Sequence, residues 1–236
     1  MSLFRQKKVL LFIVSSLWGF FTQAEAFGNK TGLSVEAGIS VPYFYQPLSV
    51  SPEIFSGKID CPAFVMNTQT RYQIPGTNVI ISGIFGYGYL GVTSKNMWND
   101  ETLNGMKGSN WSILTGAGYS FKTKNEKFQF IPSAVIGMRN EKLSGSLYLT
   151  SLDKILIKND YEYSSTSFEL GTDFYLVHKL NNMFGISLSV TPLVTFYSTG
   201  SIDIKDYLNF SKWTLDCSPE SGSFILDSKL NFVFYL

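Results

Sequence analysis

Apolar and polar residues alternate one for one along most of this chain, which is the period of a strand whose two faces meet different surroundings. In the first such segment Leu33, Val35, Ala37, Ile39, Val41 and Tyr43 oppose Ser34, Glu36, Gly38 and Ser40. The same pattern runs from Phe64 to Ile74, Val79 to Tyr89, Trp111 to Lys122, Phe128 to Arg139, Phe168 to Leu176, Phe184 to Phe196 and Ser223 to Leu236. Eight strands are therefore expected. Their connections run long, short, long, short, long, short, long: 45–63, 92–110, 140–167 and 197–222 are long, and 75–78, 122–127 and 177–183 are short. Pro75-Gly76 and Lys124-Asn125 supply turn chemistry for two of the short ones. The stretch from Leu147 to Tyr163 leaves room for an extra hairpin, or for two further spanning strands, which would make ten.

Alternation alone does not say which face is inside. Volume does. The apolar faces carry most of the strand aromatics and many Leu, Ile and Val side chains, whereas an eight-stranded interior is only just wide enough for side chains to fill it. The Gly- and Ser-rich face suits that narrow space, so the apolar face is expected to point outward, toward lipid. Two stacked sheets sharing a larger soluble core are the alternative. Tyr43, Phe64, Tyr87, Tyr89, Trp111, Phe168, Phe196 and Phe224 gather near the long connections. Tyr72, Tyr119, Phe121, Phe128, Phe130, Phe184, Phe232 and Phe234 gather near the short ones. Two aromatic belts are what two membrane interfaces select. Pro132 and Pro192 lack the amide hydrogen of a ladder residue and are expected at bulges.

Composition narrows the class. Aromatic residues make up 16% of the 236 residues and charged residues also 16%, many rings and few charges for a soluble domain. Residues 1–26 read as a secretory leader: Arg5, Lys7 and Lys8, then an apolar run from Val9 to Phe21, then Ala24-Glu25-Ala26 with small residues at a cleavage site. Removing its three cations and one carboxylate turns the net charge of +1 into −1, which leaves no basic excess for nucleic acid. Val79 to Val92 is interrupted by Ser82 and glycines, so helical spans are not expected, and a closed barrel over residues 27–236 is the remaining way to cross a bilayer.

A leader, eight such strands and a last strand reaching the final residue resemble the small outer-membrane barrel proteins of bacteria: the OmpA transmembrane domain, the OmpX/Ail group and OmpW. The resemblance is architectural and spans Phe27 to Leu236. It implies a monomer in the outer membrane, with long extracellular loops and short periplasmic turns, in contact with outer-membrane lipids. It also implies an assembly signal read by the barrel-insertion machinery, matched here by the alternation of Leu230, Phe232, Phe234 and Leu236. The terminal Leu236 departs from the aromatic usual there.

The strand charges all fall on the smaller face: Glu36, Arg71, Lys122, Arg139, Glu169, Asp173, Asp227 and Lys229. Charges in a narrow lumen need partners. Glu36 is expected to meet Arg71 or Lys229, and Arg139 to meet Glu169 or Asp173, bracing the lumen or else lining a narrow path for ions or small solutes. Cys61 and Cys217 fall in the first and last long connections, which barrel closure sets side by side. A disulfide is expected between them in an oxidising compartment, with two free thiols as the alternative. No metal or other cofactor is expected, because two Cys and one His show no ligand spacing. His178, the sole histidine, falls by a short turn, away from the acidic residues Asp153, Asp160, Glu162, Asp203, Asp206 and Asp216 of the long connections. No catalytic Ser/His/Asp set is therefore expected. Tyr148, Tyr161, Tyr163, Tyr207, Phe210 and Trp213 are candidate contacts for host or surface ligands.

Overall fold

The computed structural model describes residues 32–51, 57–92, 103–151, 154–206 and 211–236; the leader lies outside them. The described residues form ten strand segments: β1 (Leu33–Ser51), β2 (Gly57–Gln73), β3 (Val79–Val92), β4 (Leu103–Tyr119), β5 (Phe121–Lys122), β6 (Phe128–Ser151), β7 (Lys154–Lys179), β8 (Phe184–Asp206), β9 (Ser211–Pro219) and β10 (Phe224–Tyr235). All pairings among the described residues are antiparallel, and β10 pairs with both β8 and β1, which closes the ring. β5 continues β4 past a break at Ser120 and pairs with β6. β9 and β10 share the place between β8 and β1, so the ten segments fill eight positions round a closed barrel. Closure satisfies the wall's backbone groups without an open edge.

The break between β9 and β10 stays bonded on both sides. Glu220 N donates to Pro47 O at 2.7 Å, and Gly222 N donates to Thr195 O at 2.8 Å with Gly222 at φ +91°. At the short-turn end, Pro75-Gly76 turns with Gly76 at φ +73°, and Thr77 N donates to Ile74 O at 3.1 Å. Asn181 Oδ1 closes the β7–β8 turn by accepting from Met183 N and Phe184 N, each at 2.8 Å.

The expected long loops are largely strand. β6 and β7 stay paired up to Ser151 and Lys154, and β8 and β9 up to Asp206 and Ser211. Among the described residues one tall hairpin thus occupies the region from Leu147 to Tyr163, and no further spanning strands are added. The reason is local: once two antiparallel strands leave the wall they still satisfy each other's amides, and the alternation continues through Tyr161, Tyr163 and Ile202, all buried on the inner face. The prolines do not sit at bulges. Register shifts fall at Asn104/Lys107, Leu149/Thr150 and Phe168/Glu169. Pro132 instead faces the β4–β5 break, and Pro192 lies where the β7–β8 ladder skips from Gly171 to Phe174.

The outward face is apolar all round. Ile39, Met66, Phe85, Ile113, Ile136, Leu170, Leu188 and Phe232, one from each wall position, are 42–64% exposed. A band this continuous exceeds the isolated patches of a soluble protein and is the coat of a transmembrane barrel. Exposed aromatics rim it at both ends. Tyr43, Phe64, Tyr87, Tyr89, Phe168, Phe196 and Phe224 stand toward the long hairpins, and Tyr72, Tyr119, Phe121, Phe128, Phe130 and Phe184 toward the short turns. The soluble sandwich is excluded by this inversion.

Candidate functional site in the barrel lumen

The inward positions fill the bore. Toward the long hairpins lies an apolar cluster that includes Phe44, Leu48, Ile59, Leu90, Leu143, Tyr163 and Ile202; toward the short turns lies a second one of Ile80, Ile131, Tyr175, Val177 and Val233. Charged side chains are held among them. Small residues make room: a Cβ on Gly38 would collide with Leu230 O and Asn231 Oδ1.

Arg71 is the centre of the larger charge group. Its Nε donates to Glu36 Oε1 at 3.0 Å, and its Nη2 donates to Asp173 Oδ2 at 2.8 Å and Gln69 Oε1 at 2.9 Å. The guanidinium carbon lies 3.6 Å from the centroid of the Tyr175 ring. Glu36 is saturated by further donors: Tyr175 OH at 2.9 Å, Ser187 Oγ at 3.0 Å and Asn231 Nδ2 at 3.3 Å. Asp173 Oδ1 accepts from Thr191 Oγ1 at 2.7 Å and lies 3.9 Å from Lys229 Nζ. Lys229 also approaches Asp227 at 3.3 Å and donates to Thr191.

Nearer the long hairpins, Arg139 holds Glu169 with both arms, at 2.8 Å and 3.3 Å, and lies 5.2 Å from the Phe44 ring centroid. Bidentate geometry of this kind makes a strong pair. Burial is nearly complete for every member of both groups. Such pairs are costly to desolvate, and removing one member would leave the other's charge buried and uncompensated.

Seven of the eight charges expected in the lumen lie there, and Lys122 does not. It sits at the open short-turn mouth beyond the Ser120 break, where solvent reaches it. Glu141 takes its place inside. It lies in a stretch read as loop, although the inward alternation of Arg139, Glu141 and Leu143 runs straight into it. The expected balance therefore shifts, and among the described residues three buried cations face five buried carboxylates. Tyr175, which binds both Glu36 and Arg71, was also legible from parity with Asp173.

The two cysteines are not brought together. Cys217 is free and buried. Both lie in strands rather than loops, Cys61 opposite Phe44 on one side of β1 and Cys217 opposite Val50 on the other. The six-residue offset along β1 is about 20 Å at ~3.3 Å per residue, far beyond the Cα separation a disulfide spans.

Among the other candidates, Tyr161 and Tyr163 face inward, Trp213 is exposed, and Tyr207, Phe210 and Asp153 lie outside the described residues. Outward-facing Asp203 binds Lys212 at 2.7 Å and Thr214 Oγ1 at 2.6 Å, and Lys205 lies 3.9 Å from Glu162. His178 is on the outer wall at the short-turn end, stacked on Phe128 at 4.4 Å, at the opposite end of the barrel from these carboxylates. Among the described residues no group of three metal-ligating side chains occurs. A cavity of about 190 Å³ opens at the short-turn mouth, with Arg71 and Tyr175 in its lining.

No family model matches the sequence, and no curated protein matches it. Solved structures do. A major outer membrane protein from Thermus thermophilus superposes with a TM-score of 0.54 at 13% identity, over 85% of this chain and 98% of that one. The outer membrane protein OprG from Pseudomonas aeruginosa gives 0.54 at 11% identity, over 89% and 99%. At such identities the likeness is one of fold, and by fold this chain is similar to the small outer-membrane β-barrel proteins of bacteria.

Proposed function

We propose that this chain is a resident of a bacterial outer membrane, exported on a cleaved leader over residues 1–26, and that it is a surface-interaction protein mounted on a closed barrel. The short turns then face the periplasm and the tall hairpins stand outside the cell. Leu230, Phe232, Phe234 and Leu236, at outward or terminal places of the closing strand, serve as the signal to the barrel-insertion machinery. The ring closes within one chain, which suits a monomer surrounded by outer-membrane lipids.

The observation that carries a closed barrel is the strut from Arg71 to Asp173. β2 and β7 stand opposite each other in the ring, so this 2.8 Å contact crosses the bore. The extensions supply the interaction surface. β7 has 26 residues, whereas about 9–11 cross a bilayer, so more than half of it lies beyond the lipid. Glu162 is exposed on that extension, and Lys205, Lys212 and Trp213 are exposed on the β8–β9 hairpin beside it.

Planar-bilayer recording paired with cell-surface binding tests this reading. Silent bilayers, together with binding to host material that is lost when the β6–β7 and β8–β9 hairpins are shortened to tight turns, would support it. Reproducible ion steps or solute swelling would favour a narrow channel instead. That second reading is favoured by the buried amide of Asn110, which has no hydrogen-bond partner among the described residues and suits a hydrated interior.

A further inference from the structure

The mouth at the short-turn end holds charges that the lumen network does not use. Lys122, Lys127 and Lys179 line its cavity of about 190 Å³ together with Arg71. Among the described residues none of these three ammonium groups makes an ion pair. Lys179 is turned inward, its Nζ 5.1 Å from the centroid of the Tyr235 ring, which lines the same cavity. Below them Arg71 has spent Nε and Nη2 on Glu36, Gln69 and Asp173, while its buried Nη1 has no hydrogen-bond partner among the described residues. The acidic side chain in the lining is Glu126.

Like charges around one concavity repel, and an anion placed among them relieves that repulsion in a site partly shielded from water. The space is smaller than the ~300–1,000 Å³ of pockets for drug-sized ligands, so it suits one compact anionic group. Lysines act as point charges on phosphate, whereas planar carboxylate recognition leans on arginine forks. We propose that this cavity binds a phosphate group, either as the free ion or as the headgroup of a neighbouring phospholipid. That the group arrives from the periplasm rests on the orientation proposed above; the site itself does not.

The full chain, folded in octyl glucoside micelles that contain no phosphate, gives access to both barrel ends and so tests the site apart from the orientation. Inorganic phosphate is titrated at constant ionic strength against chloride, with binding followed by calorimetry and by thermal unfolding. The expected result is saturable binding and stabilisation, weakened about tenfold or more in the triple variant K122Q/K127Q/K179Q and unchanged in K212Q. Single variants K122Q and K179Q, each expected to weaken binding in part, keep the test readable should the triple variant fold poorly. Repeating the titration in phosphatidylglycerol nanodiscs separates the sources. Binding that persists identifies the free ion, and binding that disappears identifies a headgroup already in place. No phosphate effect beyond chloride in micelles, or a triple variant that binds like the parent, overturns the proposal.

Discussion

Arg71 shows how much one residue carries in a lumen this narrow. Its side chain ties β1, β2 and β7 through Glu36, Gln69 and Asp173, and all of these are buried. Replacing it with Met would leave two carboxylates without their main cation, so R71M is expected to lose about 3–5 kcal/mol in urea unfolding from lipid vesicles. Adding D173N and E36Q should return part of that loss, because neutral side chains need no counter-charge; no recovery would mean that Arg71 acts through packing on Tyr175. Cys217 offers a second residue-level expectation. It is 1% exposed, and burial pushes its thiol up to about 12, whereas the attacking species in alkylation is the thiolate. In a C61S background, Cys217 should resist maleimide near neutral pH and react fully once unfolded in urea. Dithiothreitol should leave the unfolding midpoint of the parent protein unchanged; a drop would restore the disulfide.

At the scale of elements, the hairpins beyond the wall depend on different chemistry from the strands inside it. Asp203 and Lys212 clasp β8 to β9 on the outer face, and hydrogen bonds from Lys212 first and Thr214 next hold the Asp203 carboxyl below its usual range. A depressed folded value means that the contact stabilises the hairpin above the unfolded value of about 3.9, and that this contribution fades as pH falls from there through the folded value. The carboxyl carbon and the hairpin amides should shift together in an NMR titration below pH 4, and D203N should abolish the joint shift. An amide titration unaltered in D203N would disprove the coupling. Within the wall, period two was enough to place the strands, because lipid and lumen demand opposite side chains at successive residues. It failed where both faces are apolar. Phe44 between Tyr43 and Tyr45, Leu114 beside Ile113 and Leu193 beside Val194 are doublets whose inward members fill the bore, and alternation cannot rank them. It also fails above the wall, where it predicts loops for Glu141 and both cysteines, because turn signals are sparse there and mutual pairing of extended strands leaves no mark on composition. Lys122 was misplaced for a third reason. Parity is right for a strand's middle, but at its mouth an inward residue meets water.

For the whole molecule, the decisive property is inversion, with the apolar load outside and the charges inside. It makes opposite demands on the two faces and so can be tested by one substitution. Leu188 is 56% exposed on β8, level with Leu176 of β7 and Leu230 of β10. It lies between the Phe184 and Phe196 ends of the coat, near the middle of the bilayer on this reading. In water, arginine at an exposed place of this kind would cost little or would aid solubility. In hydrocarbon, it must drag its charge into the membrane or distort the lipid around it, at a cost of about 2–4 kcal/mol near the midplane of a β-barrel. L188R is therefore expected to lower stability by that amount in lipid vesicles. The cost should shrink for arginine at Phe184, nearer an interface, where the side chain can reach headgroups. Folding in vesicles and comparison of urea midpoints measures both. Equal, negligible costs at the two sites would sink the membrane assignment, whereas the depth-dependent difference has no counterpart in a barrel surrounded by water.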